Sequence, residues 1–198
     1  MVPATPSEIE LQDSSFQGNL KLKESHTIRI SNHNYCGITT TQISDVLQDM
    51  DRMEIDIQGV SETNINTNQY KIRHSLHTSA MQADPSTTTV WSTSDTESTT
   101  TFKPGSTGLI AKSPITDRIL KKGRDNLGRY TYLIIDTKGP PILLMTIYQC
   151  CIRPTNLDGN SAYCQQQILL SQEGRTNINP RTNFYIDVNN FIHKFIND

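Results

Sequence analysis

Apolar residues recur along this chain at two different spacings, which predict helices and strands separated by polar loops. Apolar positions three and four residues apart predict a helix over 43–53, and Thr39 with Gln42 has the spacing of a capping box before it. A second helix is predicted from about 161 to 173, where Gly174 is expected to act as a C-terminal cap. The last predicted helix has the most regular apolar face, formed by Phe184, Val188, Phe191, Ile192, Phe195 and Ile196.

Apolar residues at alternate positions and short apolar runs predict strands between these helices. The strands are expected near 28–30, 55–60, 89–91, 109–111, 131–135 and 142–148. The polar cluster 31–34 is expected to end the first strand, and residues 63–101, rich in Asn, Thr and Ser, are expected to form mostly loop. Length and pattern together predict one domain over residues 25–198, preceded by a loose polar lead-in over residues 1–24.

Composition and charge narrow the class of protein. The hydrophobic fraction is 34% and the formal net charge is −2, so any attraction for phosphate has to be local. The four cysteines lack the spacing of a disulfide framework or a zinc site and are interpreted as reduced thiols. The chain start lacks the pattern of a secretory signal, and the aliphatic run 142–145 is too short to cross a bilayer. We therefore expect an intracellular protein, cytoplasmic or nuclear, that is not secreted.

Polar side chains with useful chemistry stand where predicted strands end. Asn34 follows the first strand, Glu62 follows the second, and Tyr148 ends the last strong strand. Strand ends border the crevice where open α/β sheets bind ligands, and carboxylate and amide oxygens suit Mg²⁺ or Mn²⁺. Taken singly, Asn34 reads as a turn residue, Glu62 as a solvated carboxylate and Tyr148 as a core aromatic. Arg153, before Pro154, is interpreted as a surface residue, and none of the five histidines is assigned to catalysis.

Several stretches resemble, in order, the motifs of the endonuclease/exonuclease/phosphatase superfamily. Residues 34–38, Asn-Tyr-Cys-Gly-Ile, are similar to its Asn-x-Asn-Gly opening. Residues 56–63, Asp-Ile-Gln-Gly-Val-Ser-Glu-Thr, are similar to its Asp-Ile-x-x-x-Gln-Glu-Thr strand, with Ser61 replacing Gln. Residues 104–110 resemble its Gly-Gly strand, and Thr-Ile-Tyr at 146–148 resembles the segment that carries its active-site tyrosine. Residues 127–133, Leu-Gly-Arg-Tyr-Thr-Tyr-Leu, and the polar insert are most like endonuclease domains associated with non-LTR retrotransposons.

The resemblance implies an α+β fold, a four-layer sandwich of two facing mixed sheets with outer helices. It implies that Glu62 is the main ligand of Mg²⁺ or Mn²⁺, that Asn34 assists the metal or phosphate site, and that Tyr148 contacts the phosphate. The family's Gly-Asp-x-Asn segment and C-terminal Asp-His pair are not found, so we expect the N-terminal part of such a domain, its last third missing and inactive as it stands. The Asp-x-Asn spacing of Asp187 and Asn189 falls within the last helix and is interpreted as helix surface.

The expected substrate class is nucleic acid, DNA more than RNA. The stretch from Lys103 to Arg129 contains seven basic and two acidic residues, including both ends. This local excess of positive charge would favour binding to a phosphate backbone. A solvated loop and strand edge is the competing interpretation of this stretch. Two other functions remain open: a phosphatase of the same superfamily acting on small phosphoesters, and a non-catalytic nucleic-acid-binding remnant. The oligomeric state does not follow from the sequence.

Overall fold

A computed structural model describes residues 22–152 and 160–197 of this α+β protein. The strands are β1 (Ile30–Asn34), β2 (Ile57–Ser61), β3 (Thr88–Ser92), β4 (Thr107–Ala111), β5 (Ile119–Arg124), β6 (Tyr130–Ile135) and β7 (Ile142–Ile147). The helices are α1 (Ile43–Arg52), α2 (Tyr70–Ala83), α3 (Ala162–Gln172) and α4 (Pro180–Asn197). Short 3-10 helices at Thr40–Gln42 and Thr116–Arg118 precede α1 and β5.

The strands form two sheets. The larger sheet has the order β1-β2-β4-β3, with β1 parallel to β2 and the other neighbours antiparallel. The smaller sheet has the order β5-β6-β7 and is antiparallel between both pairs of neighbours. The larger sheet is therefore mixed, as predicted, whereas the smaller sheet departs from the expected mixed pairing.

Apolar clusters hold these layers together. The core between the sheets consists of Ile57, Leu109, Ala111, Ile115, Leu133 and Ile135. The opposite face of the larger sheet packs on α1 and α2 through residues that include Leu47, Leu76 and Trp91. On the outer face of the smaller sheet, the Phe191 ring of α4 lies 4.7 Å from the Tyr132 ring. This layering confirms the predicted arrangement of two facing sheets with outer helices.

The structure corrects the sequence prediction at three elements. Helix α2 lies inside the predicted loop 63–101, where its narrow apolar stripe, with only Leu76 and Ala80 buried, gives a weak helical pattern. Strand β5 was missed because its exposed Lys121 and Lys122 are typical of an edge strand rather than a core strand. Strand β1 continues through the polar cluster 31–34, since an edge strand tolerates polar side chains.

Two other sequence predictions concern residues that the structure describes only in part or not at all. Of the predicted lead-in 1–24, residues 1–21 lie outside the described ranges, and so does Arg153. No helix within residues 22–152 and 160–197 is long and apolar enough to cross a membrane.

Candidate functional site

A strained edge of the larger sheet marks the candidate site. The ends of β1 and β2 and the start of β4 meet there, because Asn34 pairs with Ser61 and Ser61 pairs with Thr107. Four non-glycine residues at this edge have positive φ angles: Cys36 (50°), Glu62 (51°), Asn64 (54°) and Ser106 (82°). Such left-handed conformations cost about 1–3 kcal/mol each and concentrate at functional sites. The predicted carboxylate at position 62 is one of these strained residues.

A cleft of about 390 Å³ opens at this edge. The carboxylate of Glu62, the phenol of Tyr148 and the amide of Asn64 line it together with Phe102, whose side chain is 60% exposed. The start of α3, from Asn160 to Tyr163, forms another part of the wall. The positive end of that helix dipole favours an anion in the cleft.

The sequence-predicted pair of Glu62 and Tyr148 shares this cleft. Burial raises the pKa of the Tyr148 phenol above its ordinary value, and the negative charge of nearby Glu62 raises that pKa further. Tyr148 therefore stays protonated at neutral pH and donates its O–H. Its ring packs on Gly105, where an added Cβ would lie 3.1 Å from the Ala162 Cβ and 3.3 Å from the Tyr148 Cε1. This close approach and the φ of +87° both favour glycine at position 105.

Glu62 has no cationic partner among residues 22–152 and 160–197. The described lining of the cleft also contains no lysine, arginine or histidine. A half-buried carboxylate in such surroundings is compensated by water, a hydrogen bond or a bound cation. The cleft thus offers a negative charge to a cation while the helix α3 terminus favours an anion beside it.

The donor set fits a hydrated divalent cation. The cleft supplies one carboxylate and an amide, which are hard oxygen ligands, and Mg²⁺ usually takes one or two carboxylates while keeping several waters. Buried hydroxyls at the same edge, those of Thr63, Ser106 and Thr107, have no hydrogen-bond partner among the residues that the structure describes. Within the described ranges no group of three His, Cys, Asp or Glu side chains forms a protein-only metal site. Glu62 would therefore hold a cation that keeps much of its water shell.

Asn64 is a residue of the cleft that the sequence analysis missed. Its backbone N–H donates to the Gly105 carbonyl at 3.0 Å, and its side-chain oxygen accepts from the Gly105 N–H at 2.9 Å. These bonds fix the segment that packs on Tyr148. One feature of the sequence could have identified Asn64: it is an asparagine two residues after Glu62, and asparagine adopts positive φ more readily than most non-glycine residues.

The structure places Asn34 at the same edge but outside the residues that line the cleft. Its side-chain oxygen accepts from the Cys36 N–H at 3.0 Å, the geometry of an Asx turn. Asn32 projects from the same face of β1, and a Cβ atom at Gly59 would clash with the side-chain oxygens of Asn32 and Thr146. The turn interpretation of Asn34 describes its present contacts, and a role at the metal stays a prediction.

Asp187 and Asn189 lie within α4, as the helix interpretation predicted. The Asp187 carboxylate is engaged by Arg129 and Arg175, each with an N···O distance of 2.9 Å. Val188, between Asp187 and Asn189 in the sequence, is buried, and Asn189 is exposed. This carboxylate has a structural role that joins α4 to the turn before β6.

The basic stretch from Lys103 to Arg129 does not form one surface patch. Lys103 is 1% exposed and donates to the carbonyls of Ser94 and Thr96, and Arg129 is 2% exposed beside Asp125. Lys112 is also buried, where it pairs with Asp51 and Asp84. The basic residues of this stretch that remain exposed are Arg118, Lys121, Lys122 and Arg124. The predicted patch is therefore wrong in its extent, because sequence spacing does not reveal burial.

The similarity of this chain to known proteins is structural. No protein-family model and no curated protein matches it. Among solved structures, an AP endonuclease from Leishmania major is similar, with a TM-score of 0.48 and 14% sequence identity. The similarity covers 73% of this chain and 45% of that protein, so the chain spans less than half the length of this neighbour. Function is therefore inferred from the geometry of the cleft.

Proposed function

We propose that this chain is part of a divalent-metal-dependent phosphodiesterase of the endonuclease/exonuclease/phosphatase superfamily that acts on nucleic acid. The observation that carries the proposal is the pairing of Glu62 and Tyr148 in one cleft, on a strained sheet edge. The motifs that surround both residues are the ones that resemble this superfamily. The narrower likeness to retrotransposon-associated domains stays a prediction.

Each residue of the cleft has a specific task in this proposal. Glu62 holds Mg²⁺ or Mn²⁺, which when bound supplies charge stabilisation at the phosphate. Tyr148 donates its O–H to a phosphate oxygen, which its raised pKa permits at neutral pH. The N-terminus of α3 adds backbone dipoles that favour the same anion. Phe102 is 60% exposed beside the cleft and offers an aromatic face on which a base can stack.

A second candidate is nucleic-acid binding without hydrolysis. The described lining of the cleft contains no histidine or aspartate that could activate a water. This composition favours a site that holds a phosphate without cleaving it, as in the non-catalytic alternative. The two candidates differ in whether binding depends on a divalent cation.

The test is binding and cleavage of labelled duplex DNA, with matched RNA for comparison, by fluorescence anisotropy and gel analysis. Ionic strength is held constant while Mg²⁺ is replaced by EDTA. We expect tighter binding in Mg²⁺, loss of that difference in Glu62→Gln, and weakening by about tenfold in Tyr148→Phe through loss of a hydrogen bond to a charged group. Glu24→Gln and Tyr185→Phe, at exposed positions outside the cleft, are the matched controls. Equal affinity in Mg²⁺ and EDTA would contradict the metal-dependent proposal and favour simple binding.

A further inference from the structure

A second cavity, of about 260 Å³, lies between α2 and β3. Its lining consists of Thr67, Arg73, His77, Thr89, Trp91 and Arg124. None of these residues lines the cleft that contains Glu62 and Tyr148. The two cavities are therefore chemically separate sites.

Basic side chains dominate the rim of this second cavity. Arg73 and His77 are four residues apart on α2 and so lie on one face of that helix. Arg124 approaches from the end of β5. No residue of its described lining is acidic. The arrangement concentrates positive charge from two separate elements on one small volume.

These cations keep donor capacity for a ligand. Arg73 donates from Nη1 to the Thr67 carbonyl at 3.3 Å, and no carboxylate of the described residues lies within salt-bridge distance of it. Arg124 makes a long contact of 3.4 Å with Asp95, where both side chains are substantially exposed, and donates from Nη1 to the Asn68 side-chain oxygen at 3.2 Å. A guanidinium has five N–H donors, so each arginine has several left for an oxyanion.

Trp91 lines the same cavity from β3. It is 7% exposed, and the Cε3–Cζ3 edge of its ring abuts Gly108. Its indole N–H is enclosed by protein atoms and is not open to the cavity. The ring can therefore report a ligand bound in the cavity without itself binding it.

We propose that this cavity is a phosphate-binding site, distinct from the cleft and independent of the proposed function. Arg73 and Arg124 hold phosphate oxygens through their guanidinium groups, and His77 adds a ring N–H. The ligand class is a phosphate oxyanion, either free or carried by a nucleic-acid strand. An experiment on the 198-residue chain separates these two sources.

Trp91 is the only tryptophan of the sequence, so its indole N–H gives one identifiable signal in a ¹⁵N-correlated NMR spectrum. Sodium phosphate is titrated against sodium chloride at equal ionic strength. We expect a saturable shift of the indole signal with phosphate and none with chloride. A signal that stays in place, or that moves equally with both salts, overturns the proposal.

Variants test whether the response comes from this cavity. Arg73→Gln is expected to weaken the phosphate response by about tenfold, and Arg124→Gln similarly, because each removes charge-assisted hydrogen bonds. Lys71→Gln removes an exposed charge on the same helix outside the cavity and is expected to leave the response unchanged. Equal weakening by Lys71→Gln and Arg73→Gln would show non-specific attraction and overturn the assignment.

The source of the phosphate is read from competition. If a nucleic-acid strand is the ligand, an oligonucleotide moves the indole signal at concentrations far below those of free phosphate, and phosphate competes with it. If free phosphate is the ligand, the oligonucleotide has no such advantage. Glu62→Gln leaves the phosphate titration unchanged, so failure of this proposal and failure of the proposed cleft function are distinguishable.

Discussion

Two carboxylates bracket the central strand β2, and their surroundings differ. Asp56, just before the strand, is 6% exposed, binds Lys23 Nζ at 2.5 Å and accepts from the Arg29 N–H at 2.7 Å. Glu62, just after the strand, has a left-handed backbone and faces a neutral phenol, with no cation beside it in the described ranges. The same chemical group is a structural anchor at one end of the strand and an available ligand at the other.

Carboxylates near the outer layer are also paired with cations within the protein. Arg129 is 2% exposed and joins Asp125 on its own turn to Asp187 of α4. These carboxylates, like Asp56, have their charge neutralised within the protein. A carboxylate with protein partners stabilises the fold, whereas one without them, at a strained position, costs stability and is free to bind a ligand. Substitutions at the two kinds of position should therefore have opposite consequences.

The largest effect is expected for Arg129→Met. Removal of this guanidinium leaves Asp125 and Asp187 without their shared cation, which costs about 3–5 kcal/mol of unfolding free energy for a buried pair. Urea denaturation measures the loss. Arg52→Met is the control, because Arg52 is 72% exposed in its pair with Asp49 and should change stability by less than about 1 kcal/mol. Equal losses in the two variants would contradict the distinction between buried and exposed pairs.

A smaller loss is expected for Asp56→Asn. The variant keeps the side-chain shape but removes the charge that binds Lys23 and the stronger acceptor of the Arg29 N–H. We expect about 1–3 kcal/mol of destabilisation from these charge-assisted bonds. The same denaturation experiment on Glu62→Gln should show little change, since Glu62 has no such partners. If Glu62→Gln destabilised the protein as much as Asp56→Asn, the comparison of the two ends of β2 would fail.

Glu62→Gly is expected to be more stable than Glu62→Ala. Glycine adopts the φ of 51° found at this position without steric cost, whereas alanine does not. Unfolding free energy should be higher in Glu62→Gly than in Glu62→Ala by about 1 kcal/mol, after the greater chain entropy of unfolded glycine is subtracted. Thermal melts of the two variants measure this difference. A less stable glycine variant would rule out backbone strain at the site.

The smallest effect concerns the titration of Tyr148. Burial raises the pKa of the phenol, and the charge of Glu62 raises it further. Glu62→Gln should therefore lower that pKa, although burial keeps it above its ordinary value. Tyrosinate absorbance during an alkaline titration detects the change, and Tyr148→Phe identifies which transition belongs to this residue. If Glu62→Gln left the pKa of Tyr148 unchanged, the Glu62 charge would not act on the phenol, and the proposed pairing of the two side chains would be contradicted.

The sequence predicted the elements whose apolar faces are broad. Helix α1 buries Ile43, Val46, Leu47 and Met50 on one face, a pattern that only a helix produces at that spacing. Helix α2 buries only Leu76 and Ala80, and its fold depends on tertiary contacts with the sheet that no local pattern records. Strong periodicity was therefore decisive, and its absence did not exclude a helix.

The candidate site was predictable only in part. Motif order identified Glu62 and Tyr148, and the structure brings both into one cleft. Motif order could not show that the Asn34 side-chain oxygen accepts from the Cys36 N–H, or that Asn64 secures the Gly105 segment. The burial of Lys103 and Arg129 was equally invisible, because it depends on carbonyls and carboxylates distant in the fold.

The most direct test of the central claim is a Mn²⁺ titration followed by NMR of the tyrosine ring signals. Mn²⁺ broadens signals close to it, so a cation held by Glu62 should selectively broaden the Tyr148 ring at low Mn²⁺ concentrations. Glu62→Gln should abolish this broadening, and Glu24→Gln should preserve it. Broadening that spares Tyr148, or that persists unchanged in Glu62→Gln, would contradict a metal site in the cleft.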